Sequence, residues 1–140
     1  MFTRRKLFAI KAFLGASVFL PSLSACASEQ VLVITNQTMT KLRALRAEEK
    51  FTNLPGAPAA AERRRLEPLF NSLLDTLIDG LAKNPRKSWV LGVMEPVVER
   101  FHLEDTEARD PCIDYLERIL SILEINSTDG AFSKYMIFMK

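Results

Sequence analysis

Between Leu66 and Leu81, apolar residues recur at spacings of three and four: Leu66, Leu69, Phe70, Leu73, Leu74, Leu77, Ile78 and Leu81. A period of 3.6 places them on one side of an α-helix, and a stripe this broad is wide enough to face two neighbours rather than one. The rest of the chain must cover it. Gly80 and Asn84-Pro85 mark its end. The start has two readings, because Ala59 to Arg65 favours helix while Pro68 lacks an N–H and restricts Glu67. Either the helix begins near Glu67 with Pro68 in its first turn, or it runs through Pro68 with a kink.

Three further segments can supply the covering faces. From Thr38, Met39, Leu42, Ala44 and Leu45 fall on one side and Lys41, Arg43, Arg46, Glu48 and Glu49 mostly on the other, which predicts a first helix closed by Phe51. Asn53-Leu54-Pro55-Gly56-Ala57-Pro58 then reads as a turn-rich connector. A third helix is predicted over Ser88–Phe101, with Pro96 bending or splitting it and Gly92 weakening the same turn. Glu104, Asp105 and Thr106 carry helix-start chemistry for a fourth helix reaching Glu124, with Asp110-Pro111 as a second start inside it. Its buried face reads Cys112, Tyr115, Leu116, Ile119, Leu120, Ile122 and Leu123. After Asn126–Gly130, Phe132, Tyr135, Met136, Phe138 and Met139 suit a short terminal helix. The fold class expected is all-α, a small bundle of four to five helices.

The N-terminus is of another kind. Leu7 to Leu20 is apolar apart from Lys11, follows the basic Arg4-Arg5-Lys6 and ends at Pro21. About 14 residues at ~1.5 Å each reach roughly 21 Å, short of the ~30 Å of bilayer hydrocarbon. Charge, length and the small residues before position 26 fit the three regions of a secretory signal. The Leu23-Ser24-Ala25-Cys26 stretch resembles the lipobox of bacterial lipoprotein signal peptides. That resemblance implies cleavage before Cys26, with Leu23, Ser24 and Ala25 read by the signal peptidase. It also implies a diacylglycerol on the Cys26 thiol and a new amine that is often acylated too, palmitate being a typical chain. Thr3-Arg4-Arg5-Lys6-Leu7-Phe8 also has a twin-arginine look, so export of a folded protein stands beside the ordinary unfolded route. The organisation expected is residues 1–25 signal, 26–37 lipidated tether and 38–140 helical domain, with Val31-Leu32-Val33-Ile34 either a short strand or a helix start.

Removing the signal changes the charge argument. The whole chain is formally +2, but Arg4, Arg5, Lys6 and Lys11 leave with the signal and no acid does, which makes the mature part −2. Basicity of the precursor therefore says nothing about nucleic acid, and none is expected as a partner. Residues 26–140 suffice for one domain, burying ~65% of the surface the unfolded chain exposes. With Cys26 acylated, Cys112 has no partner in the chain and reads as a small buried apolar residue.

Cys112-Ile113-Asp114-Tyr115-Leu116-Glu117-Arg118-Ile119-Leu120, Ile122-Leu123-Glu124-Ile125 and Ser127-Thr128-Asp129-Gly130 resemble the C-terminal signature of an uncharacterised family of small helical bacterial proteins. Glu49-Lys50-Phe51 and Leu81-Ala82-Lys83-Asn84-Pro85 fall where similar fragments sit in it. The likeness spans about residues 38–135; the Pro58–Arg65 insertion and the tail after Gly130 depart from it. It implies an all-helical fold and carries no activity.

Candidates for chemistry are few. His102 is the only histidine, and Glu99-x-x-His102 has the spacing of carboxylate di-iron bundles, which need the motif twice. It reads instead as a helix-end residue interacting with Glu104 or Asp105. Asp75 and Asp79 stand one turn apart and read as a solvated face. Arg63-Arg64-Arg65 with Lys83, Arg86 and Lys87 suits contact with anionic lipid or glycan, or simply solvated ends. No Gly-x-Ser-x-Gly frame, redox cysteine pair or glycine-rich phosphate loop is present, and no catalytic residue, metal or cofactor is expected. The reading is a lipid-anchored helical module of the cell envelope that binds a protein or envelope component through a groove beside Pro96 or the aromatic tail, as an immunity or inhibitor protein would. The alternatives are an enzyme using Asp75, Asp79 or Glu99 with His102, and a structural or stress lipoprotein with no discrete ligand. Ala27 after the lipid site resembles the pattern of lipoproteins sorted to the outer membrane of double-membrane bacteria, facing the periplasm. Mass spectrometry of the mature protein should find acyl chains on residue 26; a Cys26–Cys112 disulfide in their place would mean a free cysteine oxidised in the envelope.

Overall fold

A computed structural model describes residues 29–52 and 59–135. The signal segment, with Leu23, Ser24, Ala25 and Cys26, lies outside the described residues, as do the connector at 53–58 and the tail at 136–140 with Met136, Phe138 and Met139. Among the described residues four helices appear in chain order: α1 (Asn36–Ala47), α2 (Ala60–Gly80), α3 (Lys87–Phe101) and α4 (Thr106–Ile122), followed by a 3-10 turn at Ser133–Tyr135. The fold is the expected small all-α bundle. α2 packs on both α1 and α3, as its broad stripe requires, and α4 closes the ring by touching α3 and α1. The core is built from Leu66, Phe70, Leu74 and Leu77 of α2, Met94 and Val98 of α3, and Leu116 and Ile119 of α4, all buried.

Local chemistry explains most boundaries. α1 starts two residues before the expected Thr38, because Thr35 forms a capping box: its Oγ1 accepts from Thr38 N–H at 3.1 Å, while its own N–H donates to Thr38 Oγ1 at 3.3 Å. Met39, Leu42 and Leu45 face inward as read, whereas Ala44 is exposed. Asp105 caps α4, its Oδ1 accepting from Ala108 N–H at 3.0 Å. α4 ends in a Schellman turn. Ile125 N–H donates to Leu120 O at 2.9 Å and Glu124 N–H to Ser121 O at 3.2 Å, with Glu124 in the left-handed region at φ 56°.

The prolines stand inside continuous helices, which decides between the alternatives open for Pro68 and Pro96. Pro68 lies in the interior of α2 rather than in its first turn, Pro96 leaves α3 as one helix, and Pro111 sits inside α4 without starting a new one. An interior proline costs ~3 kcal/mol. Each of these helices offsets that cost by burying apolar residues on both sides of its proline, Leu66 and Phe70 around Pro68, Met94 and Val98 around Pro96. Burying one such side chain contributes roughly 1.5–3 kcal/mol. Phe51 does not close α1, which stops at Ala47. The stretch read as the far part of a tether is joined to the domain from Glu29 onward. It is extended, with Val31 paired antiparallel to Arg86, Leu32 N–H donating to Pro85 O at 2.8 Å, and Lys87 N–H donating to Gln30 O at 3.0 Å. Leu32 is buried in the core.

α2 and α3 meet at Gly80, where a Cβ would run into the indole of Trp89. Gly80→Ala is therefore expected to lower stability by about 1–2 kcal/mol despite alanine's helix preference, because relieving the overlap means displacing a half-buried ring. Urea melts in a Trp89→Phe background provide the check, since there the same substitution should cost much less.

Candidate functional site

The second half of α4 carries polar residues at 114, 117, 118 and 121, a spacing that lines up Asp114, Glu117, Arg118 and Ser121 along its exposed face. The loop after α1 crosses beside this face. Between them lies an open groove of about 780 Å³, walled by Glu48, Glu49 and Thr52 on the loop side and by those α4 residues on the other, with Asn126 also lining it and Tyr115, Leu120 and Ile125 beneath. Carboxylates of Glu48, Glu49, Asp114 and Glu117 face a single cation, Arg118, so the rim is acidic above a partly apolar floor.

One ion pair braces the groove. Arg118 reaches across to Glu48 with two parallel bonds of 2.9 and 2.6 Å, and its guanidinium lies 5.2 Å from the centre of the Tyr115 ring. The hydrogen bond from Arg118 holds the Glu48 carboxyl below its ordinary pKa. Under the rim, Phe51 sits fully buried at φ 65°, an unusual backbone for a bulky residue. Its N–H donates to Tyr115 Oη at 3.2 Å, and its ring packs edge-on to Tyr115 at 5.1 Å and to Phe70 at 5.8 Å. Tyr115 is thus shared by the aromatic core and the groove floor, where Leu120 and Ile125 accompany it.

Lys50, the residue before, is also fully buried. Its ammonium donates to the carbonyls of Arg46 at 3.2 Å and Glu48 at 2.9 Å, satisfying acceptors that the end of α1 leaves open. Burial lowers its pKa below the ordinary lysine value.

The residues singled out in the sequence are not brought together. Asp75 is held by Arg46 through bonds of 2.7 and 3.0 Å and is shifted below its usual pKa by that guanidinium. Asp79 is exposed. His102 caps the C-terminus of α3 with Nδ1 2.5 Å from the Glu99 backbone oxygen, and its ring lies 5.0 Å from that of Tyr135. Its expected partners are engaged elsewhere: Glu104 pairs with Arg65, and Asp105 caps α4. Arg63, Arg64 and Arg65 stand near the start of α2, while Lys83, Arg86 and Lys87 follow its end, so at ~1.5 Å per residue the two basic groups are more than about 20 Å apart. They form no single patch. Cys112 is buried, and burial pushes its thiol up to about 12, which keeps it protonated and unreactive. Among the described residues, no group of three or more His, Cys, Asp or Glu is placed to hold a metal ion. No helix among them is long and apolar enough to cross a membrane. A smaller groove of about 350 Å³ does lie beside Pro96, where Pro68, Leu69 and Leu73 of α2 face Val93 and Val97 of α3.

A family model described as a domain of unknown function, DUF4844, matches residues 33–139. That agrees with the resemblance to an uncharacterised helical family. No curated protein and no solved structure matches the chain.

Lys50 generates a pH test. Because its pKa is lowered in the fold from an ordinary 10.5, the unfolded chain binds more protons between the two values, so this group makes stability rise with pH across that window. Urea melts at pH 7 and pH 10 should show the parent gaining on Lys50→Met at the higher pH, and an unchanged difference would contradict the lowered value.

Proposed function

We propose, from the premise that this chain belongs to the DUF4844 family, a family of unknown function, that it is a lipid-anchored binding module of the cell envelope. The anchor is Cys26, supported by the lipobox-like Leu23-Ser24-Ala25-Cys26 and the basic, apolar segment before it. The binding element is the groove between the Glu48–Thr52 loop and α4, the larger of the two grooves described above.

The acidic rim above an apolar floor is the observation that carries this reading. Fixed carboxylates favour a partner segment with lysine or arginine, and the floor of Tyr115, Leu120 and Ile125 offers burial for an apolar side chain between them. An aromatic residue such as Tyr115 at the centre of a polar ring fits the usual distribution of energy in a protein interface. An immunity or inhibitor protein held at the membrane against a basic toxin or hydrolase is the form of partner this chemistry suits best. The enzyme reading has less support, because Asp75 is held by Arg46 and His102 meets the Glu99 backbone rather than a second catalytic group.

The test separates anchor from groove. Parent protein should fractionate with membranes, and Cys26→Ser should not. Glu49→Lys with Glu117→Lys leaves the Glu48–Arg118 pair intact, so the fold, followed by circular dichroism, should persist. The variant should lose, by at least tenfold in affinity, a basic envelope protein that the parent retains in a salt-sensitive manner. Equal retention by parent and variant would remove the groove from the proposal.

A further inference from the structure

We propose that the end of the bundle bearing Val31, Val33, Lys83 and Arg86 lies against the bilayer and contacts anionic lipid headgroups. The inference rests on the acyl anchor proposed above, and it turns a tether into a docked orientation. Only residues 27 and 28 separate Cys26 from Glu29, which is already tied to the domain through its Oε1 accepting from Ser88 N–H at 3.0 Å. Three residues of chain span at most about 11 Å. An acylated Cys26 therefore leaves no long leash.

What this end presents suits a lipid surface. Leu32 faces the core, so its neighbours Val31 and Val33 project to the opposite side of the extended segment, 69% and 81% exposed. Two open valines beside the attachment point are poorly explained by water alone. Arg86 pairs with Val31 across the bridge, and Lys83 stands three residues earlier; both are exposed, and Lys83 has no ion pair among the described residues. Acids share this end: Glu29 accepts from Ser88 N–H, Asp129 pairs with Lys87 at 2.5 Å, and the exposed Glu124 stands nearby, its backbone oxygen accepting from Gln30 Nε2 at 3.5 Å. Apolar side chains flanked by cations are the composition of an interfacial contact with anionic lipid. The other exposed large apolar residue among the described residues, Leu103, lies beside the Arg65–Glu104 pair at the far end of α2, a helix about 31 Å long, and cannot share this contact.

The experiment uses the full chain, matured in cells and purified with its anchor, in lipid nanodiscs of phosphatidylcholine with and without phosphatidylglycerol. Amide hydrogen exchange should slow at least tenfold over residues 82–86 and at Val33 on the anionic discs, with Leu103–Asp105 unchanged. Val31→Asp with Val33→Asp, and separately Arg86→Glu, should abolish most of that slowing, while Leu103→Asp should leave it intact. Acylated protein whose two ends exchange alike on both lipids would overturn the docked orientation and leave the anchor standing. Absence of the acyl mass would overturn the anchoring reading instead.

Discussion

The burial of Phe51 is the contact on which the arrangement of α1 depends. A helix of 12 residues is marginal alone, and its stability must come from tertiary packing. Leu42 and Leu45 supply part of it from within the helix, and Phe51 adds to it from outside by folding back into the aromatic core with Phe70 and Tyr115. The left-handed backbone this needs costs roughly 1–2 kcal/mol. Burying the ring contributes about 1.5–3 kcal/mol, and each edge-on aromatic pair roughly 0.5–1.5 more. Burial wins. Lys50 is carried inward with it, and its ammonium is held there by two bonds to the carbonyls of Arg46 and Glu48 at the end of α1, with the charges of Glu67 and Glu48 acting on it as well.

The same turn creates the candidate site. Placing residues 50 and 51 in the interior brings Glu48 and Glu49 alongside α4, where Arg118 closes the bidentate pair. Exposed pairs of this kind add little to stability, on the order of 0–1 kcal/mol. Their use is positional. Arg46–Asp75 sets α1 on α2, Arg65–Glu104 sets α2 on the loop before α4, and Glu48–Arg118 fixes the width of the groove.

The helices were legible wherever a single face carried the signal. The stripe from Leu66 to Leu81 predicted α2 and its two neighbours, and the apolar positions of α4 proved buried from Cys112 to Leu123 apart from a half-buried Ile122. Two kinds of feature were not legible. The outcome at the prolines stayed open between a bend and a break because local propensity is visible in a sequence, while the burial that outweighs it is not. Glu48 and Arg118 are 70 residues apart, so no spacing rule links them, although the polar ridge Asp114, Glu117, Arg118 and Ser121 was open to reading. His102 failed for a related reason. Proximity in sequence suggested Glu104, but Glu104 had a stronger cation in Arg65.

Gly80 and Trp89 illustrate a consequence for how such a chain can change over time. The indole occupies the space that any side chain at position 80 would need. Trading the tryptophan for something slimmer first and the glycine afterwards therefore avoids the overlap, whereas the reverse order passes through a less stable intermediate. The two positions are coupled, each setting the size of side chain that the other can hold.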